Sequence, residues 1–91
     1  MPKELKLGGF NWKIEEVEHL MIERNNIGEM EPRTHVIRLD KAASEQQKEE
    51  TLLHEIIEAI NYMYCMDLDH HQIELLGVTL HQALKDNKLQ L

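Results

Sequence analysis

The chain has 91 residues, of which 42% are hydrophobic and 30% charged, with a net charge of −7 and a single cysteine. That describes one small globular domain with a modest core rather than a disordered segment. The acidic balance excludes nucleic acid as a main partner, because phosphate binding needs clustered Lys and Arg.

No run approaches the roughly 18 apolar residues of a membrane span. No basic stretch precedes an apolar one as in a secretory leader, so a cytoplasmic protein is expected, with Cys65 as a packed helix-end thiol. After Gly8-Gly9, Phe10, Trp12 and Ile14 alternate with Asn11 and Lys13, the period of a half-buried strand entered from a turn. The segment His19–Glu23 fits either a short helix or a continuation of that strand. Asn25-Asn26-Ile27-Gly28 signals a turn, and Pro32 blocks regular pairing just after it. His35, Ile37 and Leu39 then alternate with Val36, Arg38 and Asp40 to give a second strand.

Ser44-Glu45-Gln46-Gln47 is a capping box that opens a helix over about residues 45–64. Leu53, Ile56, Ile57, Ile60 and Tyr64 form its core stripe, with His54 and Glu58 on the flank of that stripe. Asp69-His70-His71-Gln72 is a second capping box, and the last helix it opens has Ile73, Leu76, Leu80, Ala83 and Leu84 as its buried side. Only about four residues separate the two helices, so they fold back as a helical hairpin.

The chemistry lies in His54-Glu55-Ile56-Ile57-Glu58. Residues four apart share a helical face, so His54 and Glu58 can address one metal ion, while Glu55 lies about 100 degrees round and can face an attacking water. Imidazole and carboxylate are both ordinary zinc ligands. On the last helix His70, Glu74, Gly77 and His81 fall within about 60 degrees of one another. A glycine inside a helix costs about 1 kcal/mol, so Gly77 points to the close approach of another element. His70, at the start of that helix, is the expected third ligand, with Glu74 one turn on as its competitor. His71 and His81 read as supporting or surface residues, and His19 and His35 lie far off in sequence.

The stretches Thr51–Ile60, Leu68–Ile73 and Leu84–Asn87 resemble the small phage and prophage zincin-like metallopeptidases, stripped-down relatives of minigluzincins and ImmA/IrrE-type peptidases. The resemblance takes in the strand near His35–Asp40, and Glu58 stands where the motif of those relatives has its second His. It implies an α+β minimal zincin-like fold: a small antiparallel sheet packed on an active-site helix, then a second C-terminal helix. It also implies one Zn2+ ion, held here by His54, Glu58 and His70, with Glu55 as the general base of a peptidase in the bacterial host cytoplasm. A peptide or protein is the expected substrate, aligned by edge pairing on the strand around Val36–Leu39, with neither nucleic acid nor membrane as partner. Two other classes compete. One is a weakly active or inactive metal-binding module that works through protein contacts, and the other is a purely structural hairpin whose His54, Glu58 and His70 are solvated.

Overall fold

Gly8 and Gly9, both at positive φ (61° and 82°), turn the chain between strands β1 (Glu4–Leu7) and β2 (Phe10–Val17) in a computed structural model that describes residues 1–20 and 27–89. β1 lies antiparallel to β2, from Glu4 opposite Lys13 to Leu7 opposite Phe10. A second antiparallel pair follows, in which β3 (Gly28–Glu31) enters a turn at Pro32 and returns as β4 (Val36–Asp40). The two pairs join through β2 and β4, which run parallel with Lys13 opposite Val36 and Val17 opposite Asp40. The sheet order is therefore β1-β2-β4-β3.

The α+β layout is the expected one, but the sheet is mixed rather than antiparallel. The far-edge strand β3 comes between β2 and β4 in the chain and is antiparallel to β4, and β4 runs in the same direction as β2. Two short strands add to the pair read from sequence. In β1, Leu5 and Leu7 alternate with Glu4 and Lys6; in β3, Gly28 belongs to the strand and not to a turn. Pro32 ends β3 instead of preventing its pairing. Asn25 and Asn26 lie outside the described residues, as do positions 21–23; of that last segment His19 stands in a turn at φ 64° and Leu20 is buried.

Alternation in the central strands turns Trp12, Ile14, Ile37 and Leu39 onto one face of the sheet, where they close on Ala59 of helix α1 (Glu45–Tyr64). Leu5, Leu7, Met30, Leu52, Ile56 and Met63 pack round that centre. Each large side chain fully removed from water here contributes about 1.5–3 kcal/mol. Lys48, buried near the start of α1, adds a polar tie: its Nζ stands 2.6 Å from the Glu16 carboxylate of β2.

Both expected capping boxes are formed. Ser44 Oγ accepts the Gln47 N–H at 3.2 Å while Gln47 Oε1 accepts the Ser44 N–H at 3.1 Å, which starts α1. Asp69 and Gln72 exchange the same bonds at 2.8 and 3.0 Å and start α2 (His70–Asp86). Such caps satisfy donors that the first turn leaves orphaned and are worth about 1 kcal/mol each. Between the helices, Cys65 caps α1 in the left-handed conformation (φ 51°) and Asn61 Oδ1 accepts the Leu68 N–H at 2.9 Å. The Cys65 side chain is exposed, not packed, because that cap turns the backbone away from the helix face.

The helical stripes differ from the expected ones. α1 is covered on two sides: Leu52, Ile56, Ala59 and Met63 meet the sheet core, and Ile57 is buried on the opposite side of the helix. Tyr64, one turn beyond Ile60, is 62% exposed. In α2 the buried row is Ile73, Gly77 and His81, whereas Leu76 and Leu80 remain 44% and 45% exposed. The reason is that α2 packs chiefly on α1, along one narrow row, and nothing among the described residues covers its flank.

Gly77 is where the helices come closest, as the sequence suggested. A Cβ built there would stand 3.4 Å from His54 Cα and 3.6 Å from His54 Cβ. Those are ordinary contacts for one methyl group and leave no room for more. Gly77→Ala should therefore be neutral or stabilising by up to about 1 kcal/mol, while Gly77→Leu should destabilise by about 2 kcal/mol or more as the helices part. Urea unfolding of the three proteins checks this, and an equally well tolerated leucine would show that the helices do not meet at Gly77.

Candidate metal and catalytic site

The seam between α1, α2 and β3 opens into a cavity of about 570 Å³. His54, Glu55 and Glu50 enter it from α1, His70 and Glu74 from α2, and Gly28 from β3. Each is placed by the fold just described. The Asp69 cap sets His70 in the first turn of α2, and the Gly77 contact presses α2 against the backbone of His54. The two imidazole rings consequently meet edge to face with centroids 5.7 Å apart. His70 Nε2 also stands 3.5 Å from the carboxylate of Glu74, one turn further on.

Glu55 sits deeper, only 7% exposed, beneath the start of β3. Gly28 lies against it, though Thr51 is the neighbour that requires a glycine there. A Cβ at position 28 would stand 3.4 Å from Glu55 Cγ and 3.2 Å from the Arg38 carbonyl oxygen, and would collide with Thr51 Cγ2. No hydrogen bond or ion pair reaches the Glu55 carboxylate among the described residues. Burial pushes its pKa up to about 7, and the negative charges of Glu58 and Glu29 add to the rise. A carboxyl that changes protonation near neutrality, held in a cleft beside two imidazoles, has the properties of a general base.

Four of the residues singled out from sequence, His54, Glu55, His70 and Glu74, thus line one cavity. Glu58 is half-buried beside them, outside the cavity lining, and acts on Glu55 through its charge. Among the described residues no three His, Cys, Asp or Glu side chains are already gathered as a metal-holding group. The separation of the two imidazole rings would allow a shared ion. An ion about 2 Å from a nitrogen on each ring lies about 3 Å from each centroid, so rings that share an ion stand roughly 5–6 Å apart, and 5.7 Å is within that range. A carboxylate from Glu58 or Glu74 completes a donor set suited to zinc.

His81 does not belong to this cavity and is not at the surface. It is 8% exposed, its Nε2 lies 3.1 Å from Glu49 Oε1, and Lys85 Nζ reaches the same oxygen at 3.1 Å. His81 and Lys85 hold the Glu49 carboxyl below its usual range. This cluster ties α1 to α2 beyond Gly77. The i,i+4 spacing of His81 and Lys85 was the available sequence signal; their partner, on the other helix, could not be read from it.

The raised pKa of Glu55 has a sign that can be measured on chelator-treated protein. Well below pH 4.5, the usual value, folded and unfolded chains both hold the proton, so the buried carboxyl costs nothing extra, and at 4.5 it costs little. Between 4.5 and about 7 only the folded chain keeps the proton, and stability falls as pH rises; above 7 the whole penalty applies. The penalty amounts to about 3 kcal/mol at most. Glu55→Gln should therefore gain up to about 3 kcal/mol more at pH 8 than at pH 4.5, which is upwards of about 10 °C in Tm. Thermal melts at the two pH values decide it, and an equal gain at both would show that Glu55 titrates normally.

Compared with known proteins, the chain matches no family model, no curated protein and no solved structure. Its own geometry is what bears on its chemistry.

Proposed function

We propose that the protein is a zinc-dependent peptidase in which Glu55 is the general base. The observation that carries this reading is the buried, unpartnered Glu55 carboxyl beside the His54–His70 pair, with its pKa raised to about 7. His54 and His70 would hold the ion, together with Glu58, one turn beyond His54, or Glu74, which faces the cavity. A zinc ion supplies Lewis acidity to the carbonyl and lowers the pKa of water. Glu55 accepts the proton that the attacking water gives up and passes it to the departing amine. Its burial under Gly28 fixes the carboxyl and keeps it from being tied up by a cation.

The peptide-aligning strand is not the one expected. β4, with Val36–Leu39, lies between β2 and β3 and is paired on both sides, so it has no edge to offer. β3 is the outermost strand on the cavity side and reaches the cavity at Gly28. An extended substrate laid along β3 passes over Glu55. A second reading, a metal-holding module that works by protein contact, draws support from Leu75, Leu76, Val78 and Leu80, all about half exposed on α2.

Elemental analysis of untagged protein should find about one zinc per chain, lost in His54→Ala and His70→Ala. Of Glu58→Ala and Glu74→Ala, the one that loses zinc names the third ligand. Glu55→Gln should keep the metal and lower casein hydrolysis by about 100-fold or more. Unchanged zinc content after both His substitutions removes the metal site, and equal hydrolysis by Glu55→Gln removes Glu55 as the base. Full zinc with no hydrolysis by wild type favours the binding module.

A further inference from the structure

The chain distributes its cations unevenly. Lys48 is paired with Glu16 and Glu45, Arg38 with Glu15 and Glu29, Arg33 with Glu31, and Lys85 with Glu49. None of these paired residues lines the cavity, although Glu29, paired with Arg38, is close enough for its charge to act on Glu55. Of the carboxylates that line it, Glu50 and Glu55 have no hydrogen-bond or ion-pair partner among the described residues, and Glu74 has the His70 ring. Among the described residues no lysine or arginine lines the cavity.

Like charges on the walls of a cleft focus the field and concentrate counter-charge there. The buried Glu55 lines the same space, and no cation among the described residues pairs with it. Zinc on the imidazole pair would offset part of this negative charge but would leave Glu50, one helical turn before His54. Val78, half exposed, lines the cavity beside these carboxylates. An apolar wall next to two carboxylates on separate helices suits a long side chain with a methylene stem and a cationic head better than a bare ion.

We propose that the cleft selects peptides carrying a lysine or arginine, with Glu50 and Glu74 receiving the cation and Val78 contacting its stem. This rests on the peptidase reading for what becomes of the peptide, but not for its binding.

The test measures binding without turnover. Glu55→Gln protein is titrated, with and without added zinc, against short labelled alanine-rich peptides identical except for a central Lys, Gln or Glu. The Lys peptide should bind about fivefold tighter than the Gln peptide at low salt and lose most of that advantage at high salt, with the Glu peptide weakest. Adding Glu50→Gln should cut the Lys preference to about twofold or less, and Glu50→Lys should reverse it, whereas Glu4→Gln on β1 should leave it in place. Equal binding of the Lys and Glu peptides overturns the proposal, as does a preference that survives Glu50→Gln. A preference that disappears on adding zinc shows that these carboxylates are metal ligands, and it also overturns the proposal. Because no hydrolysis is read, a failed peptidase assay leaves this result intact, and a failed charge preference leaves Glu55 as the base.

Discussion

Helix α1 is gripped from two sides, and everything at the site follows from that constraint. The sheet takes one side through Ala59, Ile56 and Leu52, and α2 takes another through the Gly77 contact with His54. Both contacts use a residue with little or no side chain, so the backbones come close, and the face of α1 between them borders the cavity. That face is where Glu50, His54 and Glu55 emerge. A bulkier residue at 59 or 77 would not merely loosen the core; it would change how far apart His54 and His70 stand.

The same grip buries a carboxyl and so favours its protonated form up to about neutral pH. Glu55 is on the sheet side of that face, where desolvation is strongest, and its nearest charges are carboxylates rather than cations. In most small domains such a group would be paired or replaced by a hydrophobe. Its retention here, against Gly28, is a local conflict with stability of the kind that accompanies a working site. By contrast Glu49, the residue before Glu50, is tied by His81 and Lys85 and serves as a fastening.

Local signals in the sequence were legible because they involve neighbours. The two capping boxes placed both helix starts, the alternations around Trp12 and Ile37 placed the central strands, and Gly77 announced a close approach. What could not be read depended on which face another element covers. Leu76 and Leu80 have the spacing of a buried row, yet the sheet stops short of α2 and Gly77 moved the contact to Ile73 and His81. β3 carries a glycine and only four residues, too few for a periodic pattern, so its part in lining the cavity was hidden. The site showed the same division. His54, Glu55 and His70 were singled out by spacing, whereas the place of Glu58 outside the cavity lining and that of Glu50 within it depend on how the helices cross.

The parallel junction of β2 and β4 sets the order in which the chain can assemble. Every other strand or helix pairing, β1 with β2, β3 with β4 and α1 with α2, joins elements that follow one another in the chain. Those units close short loops and form at small entropic cost. The β2–β4 ladder must instead close over residues 18–35, the most expensive closure among the strand pairings. β3, by contrast, meets α1 directly and is joined to it in the chain through β4 alone, so the cover over Glu55 belongs to a locally closed β3–β4–α1 unit that need not wait for the central ladder.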